Sequence, residues 1–403
     1  MKNRFCFVLV FIFTSLSLVS ALDYGLVLKD DSSVSGSDSA SFTQINTARA
    51  WFSLPLAPTT DLFISAFYTF KGTFSESDTK LIPWRFDVGR TELSGQAPLS
   101  VFYLNYSLGR ININDFSNRL IIGLSDGASV DAAYGNINVY ARAAYRGFLF
   151  KEDARSFLET EDYDIFDDDD VYFALPRVVS GLGLKFIEYV PWHDVGLEVW
   201  TQFDVDPSGP KTNTQYIEPY VEGRIGRTWR WRAWGIVETS YIDDFSDFSF
   251  ALASGARIRY SKPELRGFTL TQSLVWASGP NDEMVGFTPI YSTSIGSIAS
   301  RPFSDILSYS LDLSITPMRH LNLGLGATTL FRSSEDLSTY EGLRPDAEGS
   351  YLGAELTALA ALRPTSDFSV ELSGGLYFPN TTTMYLSNTK LQWTAGLTVE
   401  LKL

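Results

Sequence analysis

The sequence predicts an all-β fold: a single-chain antiparallel transmembrane β-barrel of about eighteen strands, with sixteen as the alternative. Three observations lead there. Residues 390–403 alternate without a break, with Leu391, Trp393, Ala395, Leu397, Val399, Leu401 and Leu403 on one face and Gln392, Thr394, Gly396, Thr398, Glu400 and Lys402 on the other. Strict period two over this length marks a strand with one face in an apolar medium. The pattern recurs along the chain without a compact core to receive it, which suits a barrel whose apolar face meets lipid and whose polar face lines a lumen. Finally, the connections between strand-length segments alternate between short and long.

The elements can be taken in order. Lys2 and Arg4 form a basic start, residues 5–13 an apolar run, and Val19-Ser20-Ala21 a small-residue cleavage site. The run is too short for a spanning helix, so residues 1–21 read as a cleaved secretory signal peptide and 22–403 as the barrel. The one cysteine, Cys6, lies in the leader, so disulfide scaffolds and thiolate metal centres are excluded from the rest. No later run of 18 apolar residues exists, and aromatics at 14% are enough for two interfacial girdles. The net charge of −15 becomes −17 once Lys2 and Arg4 leave, which argues against nucleic acid as a partner.

Eight short connections carry turn residues: 55–60, 94–98, 135–136, 190–194, 227–229, 261–266, 317–320 and 364–367. Nine long ones are polar: 30–40, 72–83, 113–118, 151–170, 207–213, 243–247, 278–303, 333–349 and 379–388. Together they imply eighteen strands with both termini on one side. Short turns are then periplasmic and long loops external, as in bacterial outer-membrane barrels. Pro58, Pro317 and Pro364 mark three similar turns, since proline has no N–H to donate where a ladder ends.

Parity assigns the lumen face. If apolar partners face lipid, then Arg49, Arg85, Arg142, Arg146, Arg177, Lys185, Arg224, Arg230, Arg232, Arg257 and Arg259 point inward. So do Asp87, Glu198, Glu218, Glu222, Glu238, Glu355 and Glu371. An arginine on the lipid face costs about 2–4 kcal/mol near the midplane, which favours the inward assignment. The basic residues cluster between about 140 and 260. Such an arc either attracts anionic solutes or pairs with the carboxylates and merely solvates the lumen.

Catalysis finds little support. The two histidines, His193 and His320, fall in short turns, away from any nucleophile at an outer rim. Residues 151–170 hold ten carboxylates, among them Asp167, Asp168, Asp169 and Asp170. These are weak candidates for a divalent cation, because carboxylate oxygens suit Ca²⁺ but the glycine spacing of an EF-hand is missing. A solvated outer loop is the plainer reading, and an inward constriction is also allowed. Residues 278–303, with Phe287-Thr288-Pro289-Ile290-Tyr291, read as an external cap, a sugar-stacking surface or a plug. No cofactor is expected.

Three stretches carry a family resemblance. They are Tyr351-Leu352-Gly353-Ala354-Glu355-Leu356, the turn from Leu362-Arg363-Pro364-Thr365 to Glu371-Leu372, and Tyr377-Phe378-Pro379-Asn380. Residues 351–380 are similar to the C-terminal part of alginate-export-type outer-membrane porins. Leu108-Gly109-Arg110 and Ser125-Asp126-Gly127-Ala128 resemble further pieces of that group. The resemblance implies an eighteen-stranded barrel with an arginine-rich lumen. It does not extend to alginate as solute, and the chain ends in Leu403 where the barrel insertion signal is ordinarily aromatic.

The sequence therefore predicts a non-enzymatic, porin-like outer-membrane channel for passive diffusion or export of small hydrophilic or anionic solutes or sugars. Its partners would be outer-membrane lipid, the solute and the barrel-assembly machinery. The alternative is a surface adhesin or structural barrel with a plugged lumen.

Overall fold

The computed structural model describes residues 22–403 apart from 38, 77–78, 100–101, 159, 169, 207–210, 243–246, 281–283, 335–342, 345–346, 348 and 387. The leader expected at residues 1–21 lies outside the described residues. Eighteen strands form one closed antiparallel sheet. The first nine are β1 (Asp23–Gly36), β2 (Ala40–Ala57), β3 (Thr60–Ser75), β4 (Thr79–Leu99), β5 (Phe102–Asn112), β6 (Leu124–Tyr134), β7 (Ile137–Tyr145), β8 (Arg177–Val190) and β9 (His193–Asp204). After them come β10 (Thr212–Ile225), β11 (Trp229–Ile242), β12 (Asp247–Lys262) and β13 (Phe268–Ala277). A small hairpin, β14 (Ser294–Ile295) with β15 (Arg301–Pro302), stands apart inside the connection that follows. The barrel resumes with β16 (Ile306–Met318), β17 (Leu321–Phe331), β18 (Tyr351–Leu362), β19 (Phe368–Pro379) and β20 (Gln392–Lys402).

The sheet closes where β1 meets β20, in register from Val27↔Lys402 to Gly36↔Trp393. Leu26 and Leu403 add a reciprocal backbone pair at 2.9 and 2.8 Å. Closure matters because an open sheet edge would leave N–H and C=O groups unpaired in hydrocarbon. Burial is inverted relative to a soluble protein. Leu325 and Leu372 are 62% and 58% exposed, while Trp200, Tyr216 and Glu218 are fully covered. Most large apolar side chains face out and most polar or aromatic ones face in, as the parity pattern predicts, with Asp30, Ser32, Gln44 and Asn46 an outward polar exception.

The expected eighteen strands stand, but several boundaries move: the connections expected at 113–118 and 151–170 run over 113–123 and 146–176, and three shorter stretches prove to be strand. Residues 94–98 are not a turn: they belong to β4, which pairs with β5 as far as Leu99↔Phe102. Gly95 is there because the Tyr106 ring lies over it, so a Cβ would sit 2.5 Å from the phenol oxygen. Residues 30–36 and 72–75 are strand as well, so two of the nine long connections are tight. In the first case, polar residues sit within the ladder itself. The Asp30 carboxylate accepts hydrogen bonds from Ser32 Oγ at 3.0 Å, Gln44 Nε2 at 2.9 Å and Asn46 Nδ2. In the second, the paired strand β4 begins at Thr79, and its Leu81, Trp84 and Phe86 are 51%, 72% and 66% exposed. The remaining long connections all stand at the end of the barrel opposite the chain termini.

Candidate functional site

Two of the long connections fold into the barrel and are held by carboxylates of the wall. Residues 113–123 are shaped by Asp115, whose carboxylate accepts the N–H groups of Leu120 and Ile121 at 3.1 and 2.7 Å. This turn presents two backbone donors to the wall. Phe116 N–H reaches Glu198 Oε2 at 3.1 Å and Ser117 N–H reaches Glu218 Oε1 at 2.9 Å. The Phe116 ring stacks on Tyr220, with centroids 3.7 Å apart.

Residues 284–305 fold inward in the same manner. Thr288 N–H donates to Glu238 at 2.7 Å, and the Tyr216 hydroxyl donates to the Thr288 carbonyl at 2.6 Å. Farther round, Glu355 accepts three successive N–H groups, from Ser297, Ile298 and Ala299, at 2.8, 3.1 and 2.6 Å. The two segments meet where Tyr291 N–H bonds to Leu120 O at 2.9 Å. Phe287, Ile290 and Phe303 are buried with Ile113, Leu120 and Ile121 against Trp200, Tyr216 and Trp234. Part of the lumen thus contains an apolar core. Wall glycines make room for it: the Trp200 ring lies over Gly181 and the Tyr220 ring over Gly196, each on the adjacent strand.

Towards the short-turn end the lumen opens into a cavity of about 570 Å³. Arg224, Arg230, Arg232, Arg257 and Arg259 line it, with Glu222 among them. Even positions of β11 and odd positions of β12 face inward, and the register sets Arg230 opposite Arg259 and Arg232 opposite Arg257. Like charges placed directly across strands destabilise a sheet, so this arrangement works against folding. Four of the five are exposed to the cavity and Arg232 is half-buried. Among the described residues none of the five makes an ion pair within 4.0 Å. Glu222 is engaged instead by Lys185 at 2.8 Å, and Asp194 by the same ammonium at 2.9 Å. Arg119, on the inward turn above, adds a further guanidinium. Burial pushes its proton affinity down, the nearby Arg257 and Arg232 push the same way, and Asp115 partly opposes them.

The sequence therefore placed the five arginines together, and the structure assigns other inward residues to different work. Glu198, Glu218, Glu238 and Glu355 do face inward, but they hold the folded-in segments and do not line open water. Arg142 donates to Asn114 O at 2.6 Å and lies over the Tyr140 ring, 4.2 Å from its centroid. Arg146 and Arg177 are 2% and 1% exposed, buried beneath residues 146–176 and not on the aqueous face. Arg85 and Asp87 join an ion-pair network with Asp153, Arg110 and Asp126. Arg49 is exposed on β2 and Glu371 half-buried on β19. His193 opens β9, its Nδ1 2.9 Å from Pro191 O, and His320 lies in the turn after β16.

Of the acidic run, Asp167, Asp168 and Asp170 are exposed and Asp169 lies outside the described residues. Among the described residues no three His, Cys, Asp or Glu side chains converge on a metal-sized site. Residues 160–167 form a short helix, α1 (Thr160–Asp167). Asp115, Phe116 and Arg119 were missed by sequence reasoning. The Asp115-Phe116-Ser117 run, an aspartate placed to cap its own turn, was the available signal.

No protein-family description matches the chain, and no curated protein matches it. Solved structures do. The outer membrane protein opdK from Pseudomonas aeruginosa superposes with a TM-score of 0.59 at 13% identity, over 96% of this chain and 99% of that one. Pseudomonas aeruginosa OccK7 (OpdD) gives 0.58 at 11%, over 95% and 99%. Pseudomonas aeruginosa OccK2 (OpdF), in complex with glucuronate, gives 0.57 at 12%, over 96% and 98%. At such identities the likeness is one of fold: this chain shares with those structures a closed eighteen-stranded antiparallel barrel.

Proposed function

We propose that the protein is a bacterial outer-membrane channel for small hydrophilic solutes that favours anions, carboxylated sugars among them. The observation that carries this is the group of five arginines, unpaired among the described residues, around one 570 Å³ cavity. Unpaired guanidinium groups in a confined lumen focus a positive potential and raise the local concentration of anions. Arginine also matches a carboxylate bidentately. The glucuronate in the similar OccK2 structure is a solute of that chemistry. In this reading residues 1–21 are a cleaved leader, the short-turn end is periplasmic, and the channel performs no catalysis. Lipid and the barrel-assembly machinery are its partners.

The folded-in segments favour a second reading, a plugged structural barrel. Planar-bilayer recording separates the two. The channel reading expects discrete conductance steps, anion-selective reversal potentials that fade with salt as the screening length falls to about 10 Å at 0.1 M, and block by glucuronate exceeding block by glucose. Arg230→Gln, Arg232→Gln and Arg257→Gln together should move the reversal potential towards cations while conductance persists. An unchanged ion preference would remove the anion part, and an absence of steps in the wild type would favour the plug.

A further inference from the structure

We propose that a single monatomic anion, chloride in ordinary media, is held beneath residues 146–176 between Arg146 and Arg177, at a site separate from the arginine-lined cavity. Arg146 directly follows β7 and Arg177 opens β8, so the two bracket the base of this connection, and Arg146 N–H bonds to Arg177 O at 2.9 Å. A small cavity of about 20 Å³ lies here, lined by Arg146, Lys151, Arg155, Ser156, Asp162 and Arg177, among others. A space of this size suits a single small ion better than a carboxylate or phosphate.

The donors around it are in excess. The Arg146 side chain is 2% exposed, yet among the described residues its Nε, Nη1 and Nη2 have no hydrogen-bond partner. Arg177 Nε is unpartnered as well. The other two Arg177 nitrogens are in use: Nη1 donates to Ser156 Oγ at 2.6 Å, and Nη2 to Asp162 Oδ2 at 2.7 Å, with Asp204 3.8 Å away. Ser156 links onward to Gln202 Oε1 at 3.4 Å, and the amide nitrogen of Gln202 is again without a partner.

The nearby acceptors are committed to other cations. Asp162 and Asp204 serve Arg177, and the Lys151 ammonium is bonded to the carbonyls of Ile165 and Asp168. The face of Tyr291, 5.4 Å from the Arg146 guanidinium, offers only its quadrupole. Burial, reinforced by Arg177, pushes Arg146 down to about 10, so it is still cationic at neutral pH. A buried guanidinium without a counter-charge is strongly disfavoured. A water molecule accepts only two hydrogen bonds and must place its own two protons among donors. A halide accepts from several donors at once and supplies the missing charge.

The anion would then clasp the base of residues 146–176 to the barrel wall, and halide would strengthen this corner of the fold. The decisive experiment is anomalous diffraction from crystals of the wild-type protein soaked in sodium bromide. A bromide peak in contact with the Arg146 guanidinium is expected, and its absence there, whatever peaks occur elsewhere, overturns the proposal. The companion measurement is the thermal unfolding midpoint in detergent, in sodium chloride, sodium bromide or sodium gluconate at equal ionic strength. The halides should raise the wild-type midpoint by about a few degrees over gluconate, and Arg146→Met should abolish the difference. Persistence of the halide shift in Arg146→Met would place the halide effect elsewhere and overturn the clasp. If that variant does not fold, the bromide peak decides alone.

Discussion

Two arcs of the same barrel wall have the same outer face and opposite inner faces. On β9 and β10 the inward positions Gly196, Glu198, Trp200, Gln202, Thr214, Tyr216, Glu218 and Tyr220 are all buried. From β20 through β3 the inward residues are mostly small or polar, as in Ser33, Thr43, Thr69, Thr394 and Thr398, and all five of these are half-exposed. The first arc is roofed by the segments that fold inward. The second carries the tight outer turns after β1 and β3, which have no length to fold in. Connection length and inner-face size therefore go together: a wall strand can afford a buried tryptophan only where a loop arrives to cover it.

The largest expected effect tests this directly. Trp200→Ala should destabilise the protein by about 3–5 kcal/mol, the usual range for a buried large aromatic. Thr394→Ala on the open arc should stay within about 0.5 kcal/mol. Urea unfolding into and out of lipid vesicles measures both, and equal costs would show that the covered arc is not a packed core.

The outer faces should not distinguish the arcs. Leu197→Arg and Leu397→Arg replace residues that are each 42% exposed on the outside. Both should cost about 2–4 kcal/mol if near the bilayer midplane, as should Leu311→Arg, read as impaired folding into bilayers. The inward neighbours Thr398→Arg and Ser310→Arg should be tolerated. Damage from these equal to that on the outer face would mean a sheet packed on two sides, as in a soluble sandwich.

A smaller effect should come from the join between loop and wall. Glu355→Ala leaves three N–H groups without their acceptor, at about 1–3 kcal/mol for each donor that finds no replacement. The expected readout is higher single-channel conductance and faster proteolysis within residues 294–301, with the barrel still resistant to detergent. Unchanged conductance and protection would mean that Phe287, Ile290 and Phe303 hold the segment by packing alone.

Most of the barrel was legible before the structure because period two and turn chemistry are local properties. The alternation of β20 could be read residue by residue, and parity brought Arg230, Arg232, Arg257 and Arg259 to one face. What failed has a common physical cause. Asp30 and Ser32 look like loop residues because they are polar, and only the neighbouring strand, with Gln44 and Asn46, shows how the ladder satisfies them. Glu198 and Glu355 were rightly turned inward, but their employment by Phe116 and by Ser297–Ala299 depends on contacts 82 and 56–58 residues away. Arg146 counted as lumen-lining for the same reason: parity gives direction and says nothing about a roof.

The anchors of the inward segments have one more property. At Phe116, Ser117, Thr288, Ser297, Ile298 and Ala299 the wall carboxylates bind main-chain N–H groups. Every amino acid except proline supplies that donor. The position of these inward segments is thus held in part by contacts that do not read side chains, although Phe116 also stacks on Tyr220. For the channel proposed above, side-chain changes at Ser117, Thr288, Ser297 and Ala299 should therefore alter the lining without unseating the segments. A randomised library there, with proline excluded, would be the corresponding route to a channel of altered preference.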